Sequence, residues 1–550
     1  MAYRRNNKKY IGYFPYGILA FLFSAFIVIG FRLDLQVRKP LSVTFLIIFF
    51  LTIPLFLIMC KADLFISCLK DGNNRHNSRL KNNDIIRYGF VTIVIIWLAG
   101  YLALFPGVYG IDAPTWFFMY SRKDIFISSQ WSVFCTAFFY FFVKLGNTLF
   151  HSYVAGFAIY SFMQMLFTLY AVWRILKFLS LHISALYLIA SIAFFSLIPA
   201  HVILSVTSAQ DGPFAACFAI CLIELSELAL NDDSTLYKKK MISTAAWFFF
   251  LCVIRNNGVY AIAVCCLLTL LTAKGQRKRI LIPLVIAVAC SILYHGPVYS
   301  MLNIQKGTGV REMLSLPFQQ MAAAYNSDAL TITEKNEMHM YLADEEWKMY
   351  MPCISDQIKN RVDPSIIKED PGKFINLYLD AATSAPKEYL KALCYQTLGL
   401  WFPFKQYTDA RIWHPFLNYV QTDATLNWGP DALKIDRISI LPHYEKFLGI
   451  LYGYGSDMTG YGGNLKAYFT KIPVWGCLNT CGLYFCMVLF SIVYLIRHKK
   501  YTAMIPMGMV IGITVTVFLG PVILYRYYAP VIFSAPLWVS SLLWKDAGKI

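Results

Sequence analysis

Long apolar runs, separated by short polar stretches, dominate the pattern of this chain. The runs are continuous, and many approach the roughly 20 residues that an α-helix needs to cross a bilayer. A membrane β-barrel would instead alternate apolar and polar positions over segments of about 10 residues. The pattern therefore predicts an all-α polytopic membrane protein. We expect twelve spans, with approximate bounds 12–31, 41–60, 88–105, 152–176, 183–203, 213–230, 243–255, 258–273, 280–296, 476–496, 502–521 and 527–544.

The apolar stretch 131–150 is long enough to cross, but the charges that follow it argue against a crossing. Counting it as a span would place Arg174, Lys177 and the patch Lys238–Lys240 outside the cell, whereas cytoplasmic loops carry the excess of Lys and Arg. We therefore predict a re-entrant or interfacial helix at 131–150, a course that membranes tolerate where irregular backbone lines a cavity. Both termini are then expected in the cytoplasm.

The character of the chain changes between 297 and 475, where charges, Pro, Gly and Asn appear and no run is long enough to cross. We predict a mostly helical external domain there. The chain then divides into an N-terminal transmembrane module (1–296) with an external loop at 106–130, the external domain (297–475), and C-terminal transmembrane helices (476–550).

Composition supports a membrane protein and limits its partners. Hydrophobic residues make up 58% of the chain and charged residues 15%, with a mean hydropathy of +0.52; a soluble domain carries about 25% charge. The formal charge of +18 collects in short patches beside apolar runs, as in cytoplasmic loops near anionic lipid. Since no basic stripe alternates with exposed aromatic residues, we expect membrane lipid and no nucleic acid as partners. The patches are Arg4, Arg5, Lys8 and Lys9; Arg75, Arg79 and Lys81; Lys238–Lys240; Lys274, Arg277, Lys278 and Arg279; and Arg497, Lys499 and Lys500.

Most of the 14 cysteines lie inside apolar runs, where they act as small hydrophobic residues. Cys353 and Cys394 fall in the long polar segment and could pair if that segment is external, although we favour free thiols. No set of Cys and His has the spacing of a zinc site.

Two aspartates stand in loops that the predicted topology places outside. Asp112 lies in the first sizeable polar loop, FPGVYGIDAPTWFFMYSRKDIFISSQ, and Asp211 opens an inward helix in SVTSAQDGPFAACF. A carboxylate just above the lipid headgroups is costly to keep and chemically useful. The alternative for each is a helix cap, beside Pro114 or Pro213, since Asp is favoured at that position. A capping carboxylate can still face a cavity.

Two arginines occupy outer helix ends in the same predicted topology. Arg255 interrupts an apolar hairpin in VIRNNGVYA, and Arg526 lies in YRYYAP. A guanidinium at membrane depth is costly unless it is paired or faces water; the alternative is an arginine that extends to the interface. Arginine matches phosphate through a planar fork, while a carboxylate can accept a proton or hold a divalent cation. Together these groups suit transfer from a lipid phosphate to a hydroxyl.

Six pieces of the chain occur in a fixed order: FPGVYGIDAPTW, SVTSAQDGPFA, IRNNGVYA, VREMLSLPFQQMA, EYLKALCYQTLGLWFP and YRYYAP. Each is weak alone, but the ordered set resembles the core of the GT-C glycosyltransferases, which are polytopic enzymes that use polyprenyl-phosphate sugars. It is more similar to a poorly characterised group of Gram-positive bacterial membrane proteins within that superfamily. The chain departs from the better-known members, which have a His-Pro pair where Gln130 and Trp131 stand. It also carries Gln210 where the closer group has Lys.

The resemblance implies a GT-C-like bundle in which Asp112 is the catalytic or acceptor-contacting residue of the first loop and Asp211 the acidic residue of the second. It also implies an acceptor groove; the alternative for its residues in the external segment is an amphipathic helix with ordinary polar contacts. The groove residues would be Asn257, Arg311, Glu312, Gln319 and Gln320.

The resulting hypothesis is a glycosyltransferase of the bacterial plasma membrane with its site on the outer face. It would move a sugar from a polyprenyl-phosphate donor to a hydroxyl of a cell-envelope glycan, teichoic-type polymer or lipid, with inversion. Asp112 would be the base, Arg255 and Arg526 would hold the phosphate, and Asp211 would assist in positioning or join Asp112 in binding Mg²⁺ or Mn²⁺. The alternatives are a transporter or flippase of lipid-linked saccharides and a non-catalytic scaffold of envelope assembly.

Overall fold

The computed structural model describes residues 12–544 with gaps, and its regular structure is helical throughout that part of the chain. Backbone pairing outside helices is limited there to isolated bridges. Predicted basic residues that lie outside the described part are Arg4, Arg5, Lys8, Lys9, Arg75 and Lys274. The gaps are 38–39, 72–78, 111, 123–125, 231–236, 274, 306, 308, 405–432, 434, 437, 453–471 and 473.

Eight of the described helices are long and apolar enough to cross a membrane, which supports the prediction of an all-α membrane protein. They are Phe14–Asp34, Leu41–Leu69, Asn82–Ala103, Val133–Phe150, Tyr153–His182, Asp211–Leu230, Arg277–Met301 and Tyr501–Phe518. Three shorter apolar helices are Ala185–Leu197, Asn257–Thr272 and Cys481–Arg497. The other predicted spans fall on Tyr237–Ile254 and on the pair Tyr525–Phe533 and Ala535–Ser540.

The helix Asp211–Leu230 is the centre of the bundle. Within its most apolar window 83% of the residues are buried, against 17% for Leu41–Leu69. Its neighbours are Tyr153–His182, Tyr237–Ile254, Tyr501–Phe518 and Tyr525–Phe533. A central helix that is apolar all round is expected for a membrane bundle, because its partners rather than water cover every face.

Close backbone approach holds some of these helices together. Asn257–Thr272 and Tyr501–Phe518 form the most extensive helix pair, and a Cβ on Gly512 would lie 2.5 Å from Ala261 Cα. Only glycine allows this separation, which is the usual role of small residues between membrane helices.

Residues 309–401, called here the cap, carry a succession of short helices with their own core. This core includes Phe318, Trp347 and Phe374. The cap contacts the bundle where the Ser355 backbone N–H and hydroxyl both donate to Pro521 O at 3.0 Å, and Gln396 Nε2 donates to Gly520 O at 2.7 Å. The cap helices are Gly309–Met313, Ser315–Tyr325, Ile332–Met338, Asp344–Trp347, Asp356–Lys359, Pro364–Glu369, Pro371–Ser384 and Pro386–Trp401.

The segment predicted as one external domain, 297–475, divides between two packing environments. Most of the cap surrounds its own core, whereas Pro442–Tyr452 packs against Arg79–Ala103 and its neighbours in the bundle. Within the described part of the chain, neither Cys353 nor Cys394 takes part in a disulfide. The parts of the predicted domain at 405–432 and 453–471 lie outside the described residues.

The remaining short helices connect the larger ones. They are Ala113–Ser121, Ala200–Ser205, a π-helical turn Tyr294–Val298, Tyr299–Met301, Trp475–Leu478 and a 3₁₀ turn Ser541–Leu543.

Candidate functional site

Two loops meet at one end of the bundle, which we call the loop end. The first follows the helix that ends at Ala103, and the second precedes Asp211–Leu230. Val108 and Thr207 form a parallel bridge between them: Val108 N–H donates to Val206 O, and Ser208 N–H donates to Val108 O, both at 2.9 Å. This bridge sets the register of one loop against the other.

The bridge gives the two aspartates equivalent positions. Asp112 follows Val108, and Asp211 follows Thr207, by the same number of residues, and an Asp-X-Pro sequence occurs in both loops. Each Asp opens a helix, Ala113–Ser121 in one case and Asp211–Leu230 in the other. The repeated Asp-X-Pro is visible in the sequence and could have indicated that the two loops are equivalent.

Gly110 allows the close approach of the two loops, and Gly212 allows the start of Asp211–Leu230 to lie against Leu204. A Cβ on Gly110 would lie 2.8 Å from Ser208 O, and one on Gly212 would lie 2.6 Å from Leu204 O. Gln164 holds the second loop from the side, because its Nε2 donates to Thr207 O at 2.8 Å and to Ser205 O at 3.1 Å. Gln164 was not recognised from the sequence, where it is one polar residue in an apolar helix.

Asp211 is paired inside the bundle. Its Oδ1 accepts from Arg255 Nη1, and its side chain is only 3% exposed. Arg255 lies between Tyr237–Ile254 and Asn257–Thr272, where the hairpin turns. A buried guanidinium and a buried carboxylate each offset the desolvation of the other, so Arg255 is a paired residue rather than one that extends to the interface.

Arg526 lies between the two carboxylates. Its Nη1 is 3.7 Å from Asp112 Oδ2, and its Nε is 3.9 Å from Asp211 Oδ2. Asp112 occupies the N-cap position of its helix but makes no side-chain capping bond, and its side chain is 31% exposed. Asp112 is therefore the accessible carboxylate of the four-residue cluster formed by Asp112, Asp211, Arg255 and Arg526.

Helix N-termini surround this cluster. Helices begin within two residues of each of the four, at Ala113, Asp211, Asn257 and Tyr525, and the helix Tyr237–Ile254 ends directly before Arg255. The amino end of a helix carries a partial positive charge and unpaired N–H groups, which makes it suited to anions. Four such ends, together with two guanidinium groups, favour a phosphate at this position, while the two carboxylates keep the cluster close to neutral.

The predicted groove residues have separate environments. Asn257 Nδ2 donates to Thr516 Oγ1 at 3.5 Å at the turn beside Arg255. In the cap, Arg311 Nε donates to Val362 O at 2.8 Å, and Gln319 Nε2 donates to Met351 O. Gln320 is buried between two tyrosines: it accepts from Tyr378 OH at 2.7 Å and donates to Tyr389 O at 3.2 Å. The contacts of Arg311, Gln319 and Gln320 lie within the cap, and their place in an acceptor groove stays a prediction.

Glu312 differs, because its contact is an ion pair. It pairs with buried Lys359, which is 3.1 Å from Asp356. Burial lowers the pKa of Lys359, but Asp356 and Glu312 outweigh it and raise that pKa above its ordinary value. The lysine is thus a fixed cation inside the cap.

Gln210 connects the second loop to the helix Val133–Phe150. Its Oε1 accepts from Ser132 N–H at 3.0 Å, and Ser132 Oγ donates to Val253 O at 2.8 Å. The position where the resembled group has Lys is therefore occupied by a residue that anchors the start of this helix. The sequence alone did not indicate this role.

The cluster does not fit a divalent cation. Mg²⁺ and Mn²⁺ prefer several oxygen ligands, and both carboxylates lie beside guanidinium groups that would repel a cation. Within the described residues no group of three or more His, Cys, Asp or Glu side chains could hold a metal ion.

The fold and this cluster define a helical membrane protein with paired carboxylates and guanidinium groups at one end of its bundle. The chain belongs to a family of unknown function, DUF6020, whose model matches residues 105–547. The match includes all four cluster residues and the cap, and it leaves out the helices that precede Phe105. No curated protein and no solved structure matches the chain.

Proposed function

We propose that this protein is an integral membrane glycosyltransferase. It moves a sugar from a polyprenyl-phosphate donor to a hydroxyl of an extracytoplasmic acceptor, which is a cell-envelope glycan, a teichoic-type polymer or a lipid. The observation that carries the proposal is the arrangement of the cluster. A partly exposed carboxylate, Asp112, lies 3.7 Å from Arg526, which is 11% exposed, and Arg255, which is 15% exposed, pairs with Asp211 in the same cluster.

The proposed reaction is a single displacement. The acceptor oxygen attacks the anomeric carbon of the sugar, its proton passes to Asp112, and the bond between that carbon and the phosphate oxygen breaks. The electron pair of that bond leaves with polyprenyl phosphate, and the configuration at the anomeric carbon inverts. One base and a stabilised leaving group are sufficient for this step, and no covalent sugar–enzyme intermediate is needed.

Arg255 and Arg526 hold the leaving phosphate in this mechanism. Guanidinium groups bind phosphate through charge-assisted hydrogen bonds, and these strengthen as negative charge develops on the leaving group. The helix N-termini around the cluster act in the same direction. Asp211, which is buried against Arg255, serves as the counter-ion that keeps this guanidinium in place before the donor binds.

The proposal includes a topology of twelve crossings with the loop end outside the cell. Basic residues gather at the other end of the bundle, at the end of Tyr153–His182 and of Cys481–Arg497 and at the start of Tyr237–Ile254 and Arg277–Met301. The positive-inside rule assigns that end to the cytoplasm. Phosphate groups of lipid-linked donors in the outer leaflet would then lie at the depth of the cluster.

Within this topology Val133–Phe150 is interfacial or re-entrant. The long helix before it, Asn82–Ala103, ends at the loop end. The helix after it, Tyr153–His182, has its N-terminal part at the same end, because Ser161 Oγ donates to Pro106 O there. The contacts of Ser132 with Gln210 and Val253 hold its first turn at the same end. A helix that begins and finishes at one end of a bundle does not cross it.

The experiment uses purified protein in lipid vesicles, labelled polyprenyl-phosphate sugars and cell-envelope extract. We expect a labelled product whose new glycosidic bond has inverted configuration. The Asp112→Asn variant should form product about 10³-fold more slowly while remaining folded. Asp380→Asn, which changes an exposed carboxylate on Pro371–Ser384, is the matched control and should be fully active. Full activity of Asp112→Asn would refute the assignment of the base. Sugar movement across sealed vesicles without a new bond would instead favour a flippase.

A further inference from the structure

Tyr527 lies against both arginines of the cluster. The guanidinium carbon of Arg255 is 4.7 Å from the centre of the tyrosine ring, and that of Arg526 is 4.9 Å from it. In addition, Arg526 Nη2 donates to Tyr527 OH at 3.2 Å. A single aromatic side chain thus contacts both cations that the proposed function assigns to the donor phosphate.

An arrangement of two neighbouring cations needs something to hold it, because like charges repel and repel more strongly where water is largely excluded. The carboxylates offset part of this repulsion, but Arg526 is more than 3.5 Å from both of them. The face of an aromatic ring carries partial negative charge and attracts guanidinium groups without neutralising them. Cations held in this way keep their charge for an incoming phosphate.

The ring itself is held by the cap and by the chain before it. Tyr527 packs on a small apolar cluster formed by Ile354, Val522 and Leu524. Ile354 belongs to the cap and forms an antiparallel bridge with Val522. The cap therefore fixes the ring, and the ring fixes the two guanidinium groups.

We propose that Tyr527 is a positioning residue that holds Arg255 and Arg526 side by side for the phosphate of the lipid-linked donor. This inference rests on the proposed function. The aromatic ring does the positioning, and the hydroxyl contributes one contact to Arg526. Tyr525 and Tyr528, which lie beside the same arginine in the sequence, are buried, and the Tyr528 hydroxyl lies 3.1 Å from Thr514 Oγ1.

The test compares Tyr527→Phe with Tyr527→Leu. Loss of two cation–ring contacts should raise the KM for the donor about 10-fold or more in Tyr527→Leu, with a smaller change in kcat. Tyr527→Phe keeps the ring and should stay within about threefold of the wild type, since it loses a single hydrogen bond. Tyr444→Leu, a half-buried tyrosine on Pro442–Tyr452, is the control and should leave the KM unchanged. Binding of sugar-free polyprenyl phosphate is measured in parallel and should weaken in the same order.

Each outcome bears on one of the two proposals. If the wild type transfers sugar but Tyr527→Phe and Tyr527→Leu behave alike, the ring does not position the arginines, and the inference is wrong while the proposed function stands. The same holds if Tyr527→Leu lowers kcat and melting temperature without changing the KM. If the wild type neither transfers sugar nor binds polyprenyl phosphate, the proposed function fails, and the inference fails with it.

Discussion

The two ends of the helical bundle both bury carboxylates beside cations, yet they satisfy them differently. At the end opposite the loops, which we call the far end, Asp63 accepts from Tyr16 OH at 2.9 Å and His498 Nε2 at 2.6 Å, and it pairs with Arg497. Its side chain is 3% exposed. At the loop end Asp112 is 31% exposed and has its cation at 3.7 Å, beyond hydrogen-bond distance.

A second far-end carboxylate, like Asp63, is buried and closely paired with cations. Glu224 is 1% exposed and pairs with Arg174 at 2.9 Å and with Lys240 at 2.7 Å. Both far-end groups are saturated with partners from other helices, so they fix the packing of those helices. The difference teaches that a count of intramembrane charges does not identify a functional site. An accessible carboxylate whose neighbours leave it incompletely bonded is the better indicator.

The largest expected effect comes from removing the accessible carboxylate. Asp112→Asn should lower the rate of transfer by about 10³-fold, the range expected for loss of a general base, with no change in melting temperature. Single-turnover kinetics with the labelled donor, alongside thermal unfolding in detergent, would measure both. A melting temperature that falls as far as that of a far-end variant would remove the distinction between the two ends.

The reverse pattern is expected at the far end. Asp63→Leu leaves Arg497 and His498 without their buried partner and should destabilise the protein by about 3 kcal/mol, because one member of a buried ion pair is lost. Activity per folded molecule should stay at the wild-type level, since this end takes no part in the proposed chemistry. Unfolding curves and activity normalised to folded protein would show this. Complete inactivity of well-folded Asp63→Leu would contradict it.

A double-mutant cycle on Asp211 and Arg255 tests a pair that is buried like the far-end pairs but belongs to the proposed functional cluster. Each single change, Asp211→Asn or Arg255→Gln, should destabilise the protein, and the double variant should recover about 1–3 kcal/mol through the coupling of the pair. Activity should not recover, because the phosphate still lacks Arg255. The same cycle on Glu224 and Arg174 is the control, and there activity per folded molecule should stay at the wild-type level in both single variants and in the double variant.

The smallest effect concerns the backbone contact between the two loops. Gly110→Ala places a Cβ 2.8 Å from Ser208 O of the other loop and should cost about 1–3 kcal/mol, as overpacking does. Gly17→Ala, in the helix that carries Tyr16, meets nothing within 4 Å and should be neutral or slightly stabilising. Melting temperatures of the two variants measure the difference. Equal effects would mean that the loops can separate at little cost.

The local pattern of the sequence was sufficient to predict the long helices and to identify the unusual charged residues. The lengths of the apolar runs predicted the long helices, and an Asp or Arg next to such a run was recognisable as a costly group. Pattern was insufficient for the cap: Gln319 and Gln320 read as polar residues of an amphipathic helix, and only the packing of Tyr378 and Tyr389 shows that Gln320 lies in the interior. Tyr527 was not singled out from the sequence, where it is one of three tyrosines in YRYYAP.

The capping interpretation of Asp112 shows the same division. The sequence placed this residue correctly at the start of a helix, because Asp followed by X-Pro is a local signal. Whether its carboxylate bonds to that helix or turns to another group depends on what lies nearby. Arg526, from the other end of the chain, is what lies nearby.

By itself, then, the sequence determined that this chain forms apolar helices suited to a membrane, since helix length and hydrophobicity are properties of adjacent residues. It also marked Asp112, Asp211, Arg255 and Arg526 as unusual for their surroundings. Only the tertiary structure decided which charges meet: the Asp211–Arg255 pair is separated by 44 residues and the Asp63–Arg497 pair by 434. Such partners are set by helix packing and by the bridge between Val108 and Thr207, neither of which is encoded in any short segment.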